Sequence, residues 1–276
     1  MMASLDLTFF WGAFWCYFIG FIFYTTYLAF ERKTITTIGN GGMMIGFILQ
    51  TIAIILRWQL SGHPPLTNMY EYMTVMSWMA VATFIFVLFR FKKPIVGSFV
   101  APVTFILMVC ASLLPKEINQ QLMPALQDIW LYIHVSLAAI GEGAFAVAFG
   151  VSIMYLVGEK MNAKTRSKGL GSRLPSLDTL DDINYKSISI GFPLFTVGAL
   201  FAGAIWANKA WGTFWGWDPK EVGSLVIWIF YVLYLHARYQ RGWKGRRAAV
   251  MSIIGFLIVL LSFFGNLFLG GDHAYG

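Results

Sequence analysis

Eight stretches of this chain are each long and apolar enough to cross a bilayer as a helix, and nearly all the connections between them are short. They cover roughly residues 8–30, 41–60, 71–89, 95–114, 129–157, 187–207, 222–239 and 248–270. A crossing takes about 20 mostly apolar residues, because only a helix pairs every backbone donor and acceptor within hydrocarbon. Composition agrees: 58% of the 276 residues are hydrophobic and 12% charged, against roughly 45–50% and 25% in water-soluble domains. The sequence predicts an all-α polytopic membrane protein: one integral domain, 1–276, of about eight transmembrane helices, without internal repeats. Residues 1–7 hold no Lys or Arg, so the first stretch lacks the basic start of a secretory signal and reads as a retained helix.

The charges give this bundle a direction. Of the 20 Lys and Arg, only Arg57, Lys116, Lys209 and Lys220 fall on one set of alternate connections; all the others fall on the opposite set. Basic loops stay on the cytoplasmic side, so the crowded side is expected to be cytoplasmic and both termini non-cytoplasmic. The one long connection, 158–186, carries Lys160, Lys164, Arg166, Lys168 and Arg173, followed by Asp178, Asp181 and Asp182. It reads as a solvated cytoplasmic loop. Cys16 and Cys110 lie inside apolar runs with no CxxC spacing, which suggests packing rather than redox or zinc chemistry. No nucleic-acid partner is expected; the lipid bilayer is.

This topology sorts the four histidines. His63 follows the second span, His134 opens the fifth and His273 follows the eighth, all on the cation-poor side. His236 stands inside the seventh, 16 residues beyond Lys220, about 24 Å along a helix. An ionisable residue at that depth is costly and functional by default, and a neutral imidazole is a good iron ligand. An interfacial histidine is commonly an amphipathic residue among headgroups, and His273 alone would be a tail residue. Both become ligand candidates because they flank one aromatic segment. Glu142, about 12 Å below His134 in the same helix, is out of place in a span and is assigned no role.

That segment, 206–221, holds Trp206, Trp211, Trp215 and Trp217 in what reads as an external loop, with Gly212 and Gly216 interleaved. An interfacial aromatic belt spreads over many helix ends. Rigid aromatic planes concentrated in one loop, with small residues between them, suit a flat apolar ligand. Asp218-Pro219-Lys220-Glu221 has the order of a helix start: Asp at the N-cap, Pro at the first position, Glu at the third.

The run Trp211-Gly-x-x-Trp215-x-Trp217-Asp218-Pro219 resembles the tryptophan-rich WWD signature of haem-handling membrane proteins. With its eight spans and flanking histidines, the chain is similar to the CcsA/ResC family of the system II cytochrome c biogenesis pathway. Residues 62–71 (Gly-His-Pro-Pro-Leu-Thr-Asn-Met-Tyr-Glu) resemble the family's loop before the third span. Trp130-Leu131-Tyr132-Ile133-His134-Val135 and Asp272-His273-Ala274-Tyr275 resemble its two external histidine motifs. Val222-Gly223 and Asp272 depart from the commoner family residues without removing a ligand.

The resemblance implies that His134 and His273 are axial ligands of the iron of haem b held against Trp211, Trp215, Trp217 and Asp218. It implies that His236 is an intramembrane haem ligand. The chain would then be the haem-presenting component of a holocytochrome c synthase, acting with a ResB/CcsB-type membrane partner on the Cys-x-x-Cys-His segment of apocytochrome c. Its location would be the bacterial inner membrane or the thylakoid membrane. Lys209, Lys220 and Arg57 are candidate partners for the haem propionates, since outer cations are scarce. A haem-delivery subunit of a system I ABC-type export pathway would share the signature with fewer spans. A di-haem electron-transfer subunit would need paired histidines within the bundle, and a secondary transporter would show repeats and broken helices.

Overall fold

The computed structural model describes residues 5–30, 32–92, 94–118, 124–161 and 170–269. The first five long helices are α1 (Leu5–Ala29), α2 (Lys33–Ser61), α3 (Met69–Phe91), α4 (Gly97–Leu113) and α5 (Ile129–Glu159). One short turn, α6 (Leu170–Arg173), precedes α7 (Leu177–Phe195), which continues through a π-helical stretch, Thr196–Ala202, into α8 (Gly203–Trp211). The chain then turns back through α9 (Pro219–Gln240) and α10 (Arg246–Leu269). Eight helical units among the described residues are long and apolar enough to cross a membrane, α7, the π stretch and α8 forming one of them. The fold is that of an all-α polytopic membrane protein.

Helix extends into two segments that the sequence suggests are loops. α7 begins at Leu177 rather than after Lys186, with the Ser176 hydroxyl accepting the Thr179 N–H as its cap. Charge marks a loop only where nothing neutralises it. Here Asp182 meets Lys186 one turn on at 2.7 Å, and Asp181 grips the guanidinium of Arg238 on α9. Likewise Trp206 and Trp211 belong to the last turns of α8, so the loop proper is Gly212–Trp217.

Small residues set how closely the helices approach. A Cβ on Gly42 of α2 would come within 2.8 Å of the Cys16 carbonyl and 2.9 Å of the Gly20 nitrogen on α1. The two backbones touch there, as membrane helices do where van der Waals packing replaces the hydrophobic effect. Beside this seam, fully buried Gln50 accepts from the Tyr17 hydroxyl at 2.7 Å. Its amide donates to the Thr74 carbonyl and the Ser77 hydroxyl of α3 at 2.9 and 2.8 Å. One polar side chain thus satisfies itself across three helices, as a polar group in hydrocarbon must.

At the cation-poor end Arg57 is buried between two acids. Its Nη1 lies 3.2 Å from Asp6 of α1 and its Nε 2.7 Å from Glu71 of α3. It also donates to the backbone carbonyls of Lys116 and Glu117. Arg57 is therefore committed to the scaffold, which corrects its candidacy as a propionate partner. The Glu71 carboxylate further accepts the Thr67 N–H and hydroxyl, pinning the loop that carries buried His63, whose Nδ1 donates to the Pro64 carbonyl.

The most buried span is α5. It crosses α7 and the π stretch at glycines: a Cβ on Gly141 would lie 2.8 Å from the Gly191 carbonyl, and one on Gly198 would lie 2.6 Å from the Ala138 nitrogen. This contact brings the first turns of α5 against the π-helical backbone.

Candidate functional site

The site is built where α5 begins and α8 ends. Asp128 caps α5 by accepting the Trp130 N–H at 2.8 Å, and its other oxygen meets Lys209 of α8 at 2.8 Å. The Lys209 hydrogen bond, followed by the Trp130 N–H, holds the Asp128 carboxyl below the usual carboxylate range. The last turn of α8 is thereby fastened to the first turn of α5, and Lys209 is occupied.

His134 lies less than two turns into α5. Its Nδ1 is 2.9 Å from the carbonyl oxygen of Gly198. A carbonyl only accepts, so in the neutral ring Nδ1 carries the proton and Nε2 the lone pair. One ring nitrogen is thus anchored to a backbone oxygen, which fixes tautomer and ring orientation, a restraint that metal-ligating histidines commonly share. The π-helical turn makes the anchor possible. The Gly203 N–H reaches back to Gly198, five residues away, and not only to the nearer carbonyls. The widened turn leaves the Gly198 oxygen reachable from α5, and π-bulges recur at functional sites for this kind of reason.

Below the histidine lies Trp206, fully buried, its ring within 9° of parallel to the imidazole at 6.0 Å between centroids. Trp206 meets Trp211 edge to face at 4.8 Å. Together with Leu126, Leu131 and Val135 they form a small apolar core at this end of the bundle. Trp206 therefore supports the site from beneath.

Gly212 ends α8 in the left-handed region, φ 78°. The loop then runs to Trp217, which also holds positive φ, 59°, and is 70% exposed. A bulky residue in that conformation is strained by about 1–2 kcal/mol. Trp215 and Trp217 stand edge to face, 5.9 Å apart. The loop closes on the expected helix start: Asp218 accepts the Lys220 N–H at 2.8 Å, and the Glu221 carboxylate accepts the N–H groups of Gly216 and Asp218. This capping box fixes the loop as well as starting α9.

His134, Gly203, Trp215, Lys220, Glu221 and Ser224 line one cleft. His134 on α5 thus lines the same cleft as Trp215 and Lys220, from the loop and the start of α9. Lys220 packs its ammonium against the faces of Tyr72 and Phe263, 5.2 Å from each centroid. Beside it is Glu142, buried, accepting a hydrogen bond from the Tyr72 hydroxyl. Sequence reasoning left Glu142 without a role because its partners come from α3 and α9, which no local pattern reveals.

His273 lies outside the described residues. His236 is exposed on the outer flank of α9, in line with Ile229 and Leu233, while Ile227, Tyr231 and Tyr234 form the buried face. Cys16 and Cys110 are half-buried packing residues in α1 and α4.

The family described as Cytochrome C assembly protein matches residues 66–273. The Cytochrome c biogenesis protein CcsA of Guillardia theta is 35% identical over 278 aligned residues, covering 94% of this chain and 92% of its own length. CcsA of Synechococcus elongatus is 33% identical, covering 92% of each. Among solved structures, the chain is similar to Cytochrome c Heme Lyase CcmF with a TM-score of 0.75 at 15% identity over 98% of this chain. It spans about half (49%) of that larger protein, and the likeness is one of fold. The chain belongs to the CcsA family of cytochrome c biogenesis proteins.

Proposed function

We propose that this chain binds haem at its non-cytoplasmic end and presents it for covalent attachment to apocytochrome c, as the haem-handling subunit of a system II synthase. The observation that carries this reading is the bond from His134 Nδ1 to the Gly198 carbonyl, which fixes the ring of a histidine that lines one cleft with Trp215 and Lys220. An iron ligand, an aromatic wall and a cation are what a porphyrin with carboxylate side arms requires. A porphyrin gripped there by one edge leaves the other edge exposed, which suits delivery to a second protein better than retention.

In this reading haem b supplies the vinyl groups across which the thiols of Cys-x-x-Cys-His add. His134 and His273 ligate the iron, and Trp211, Trp215 and Trp217 bound the ligand, with Asp218 holding their loop to α9. His236, facing outward from the bundle, ligates haem within the membrane at a contact with a ResB/CcsB-type partner that brings the second ligand. The relatives' phyla fit a thylakoid membrane, and a bacterial inner membrane is the alternative. Eight spans favour this assignment over the haem-delivery subunit of a system I ABC-type pathway, which has fewer.

The test is the absorbance spectrum of the purified protein. With His134→Gly and His273→Gly combined, the bound haem is expected to lose its bis-imidazole spectrum. A spectrum identical to the wild type would remove the external site.

A further inference from the structure

The outer end of the bundle holds four cations, and the structure accounts for three of them. Arg57 is bound by Asp6, Glu71 and two backbone carbonyls. Lys116 donates to the carbonyls of Ser112 and Leu114 at the end of α4. Lys209 is paired with Asp128. Lys220 differs. Among the described residues no oxygen accepts a hydrogen bond from its Nζ and no carboxylate lies within ion-pair distance. It is half-buried, rests on the rings of Tyr72 and Phe263, and lines the cleft that also contains His134 and Trp215.

A lysine so placed has given up water without gaining a hydrogen-bonded anion, a state that costs free energy. Two features make it tolerable. The π faces of Tyr72 and Phe263 offer negative quadrupole charge, and Glu142 and Asp218 act on the ammonium from farther off. Glu142 itself is held by the Tyr72 hydroxyl, and Asp218 is occupied in capping α9. The remaining donor capacity of Nζ therefore serves whatever anion the cleft receives.

We propose that Lys220 is the carboxylate seat of the external site: it takes one propionate of haem, fixing how the porphyrin is turned about the iron–His134 axis. This rests on the haem-binding reading above and adds to it a residue that sets orientation. The iron, bound by a histidine, permits rotation about that axis; a single charge-assisted hydrogen bond at the rim removes it. The two vinyl groups are inequivalent positions on the ring, so a fixed rotation decides which of them faces each thiol of the acceptor.

The experiment titrates the detergent-purified full-length protein with haem b and with its dimethyl ester, which keeps the iron and vinyl groups but has no anionic side arm. Binding is read from the Soret band. Wild type should bind haem about ten-fold or more tightly than the ester, the range of a charge-assisted hydrogen bond. Lys220→Met should lower haem affinity to that of the ester and leave ester affinity unaltered, while Lys220→Arg should retain most of the preference. If Lys220→Met weakens both ligands equally, or neither, the seat is refuted. Loss of co-purifying anionic phospholipid in Lys220→Met, with the haem-to-ester ratio unchanged, would assign the lysine to a lipid phosphate and also refute it. His134→Gly separates the two levels. If it weakens both ligands while Lys220→Met does not alter their ratio, only the lysine assignment falls; if it weakens neither, the site itself falls.

Discussion

His134 and Gly198 are joined by a 2.9 Å bond from an imidazole nitrogen to a backbone oxygen, although 64 residues separate them. The bond exists because α5 and the π stretch approach at a residue without a side chain. Adding a methyl at Gly198 would bring it within 2.6 Å of the Ala138 nitrogen and the Leu137 Cβ. Gly198→Ala is expected to separate the two elements, with a cost of about 1–3 kcal/mol for overpacking. It should also release the imidazole, so that haem binding falls by more than the loss in melting temperature explains. Thermal unfolding and haem titration of the same preparation check this.

Removal of Arg57 should be severe for stability and indirect for haem. Arg57→Ala leaves Asp6 and Glu71 buried without their counter-charge, and breaking such a pair from one side costs about 3–5 kcal/mol. Glu71→Gln, which keeps a hydrogen-bonding side chain facing Arg57 and Thr67, should cost less. The readout is detergent thermal stability. A stable Arg57→Ala protein that has lost haem selectively would restore the arginine to the ligand site.

Trp217 separates strain from use. Its positive φ, 59°, and its 70% exposure mean that the fold gains little from this side chain. Trp217→Gly removes about 1–2 kcal/mol of backbone strain, offset by the greater chain entropy of glycine. Melting temperature is therefore expected to stay level or rise while haem content falls, because an aromatic wall is gone. A fall in both together would make Trp217 a structural residue.

The Asp128–Lys209 tie has a pH signature. The folded carboxyl titrates below its ordinary value, so its contribution to stability is complete above about pH 4. That contribution disappears as pH falls through the lowered folded value. Asp128→Asn keeps the helix cap and deletes only the charge. The melting-temperature gap between the two proteins should therefore be present at neutral pH and close in acid. Both partners are partly exposed, so the effect should remain below about 1 kcal/mol.

His236 lies on the outer flank of α9, where a leucine packs equally well against lipid. His236→Leu should leave melting temperature unchanged or raise it slightly. If it nevertheless removes haem from the protein co-expressed with its partner, the loss reports ligation alone.

What could be read from the sequence follows the range of the forces involved. The spans and the start of α9 at Asp218 rest on hydropathy and capping chemistry, which are local or additive. The π turn was not legible, because Thr196–Ala202 reads as ordinary apolar helix and is widened by its packing against α5. Glu142 stands out in sequence as an acid within a span, but its partner Tyr72 lies 70 residues away and no local pattern joins them. Trp206 reads as part of the loop by residue type, whereas its position under His134 depends on how α8 continues α7. Arg57 reads as a propionate candidate in sequence because its partners, Asp6 and Glu71, come to it from α1 and α3.

The π stretch also sets the azimuth of everything beyond it. Each residue advances an α-helix by about 100°, so deleting one from 196–202 would swing the downstream face of α8 by about that angle. Trp206 would leave the underside of the imidazole and Lys209 would turn away from Asp128. The spacing between His134 and the tryptophans is therefore tuned in screw phase more than in length. An insertion or deletion there would leave the span long enough for the membrane and yet disassemble the site.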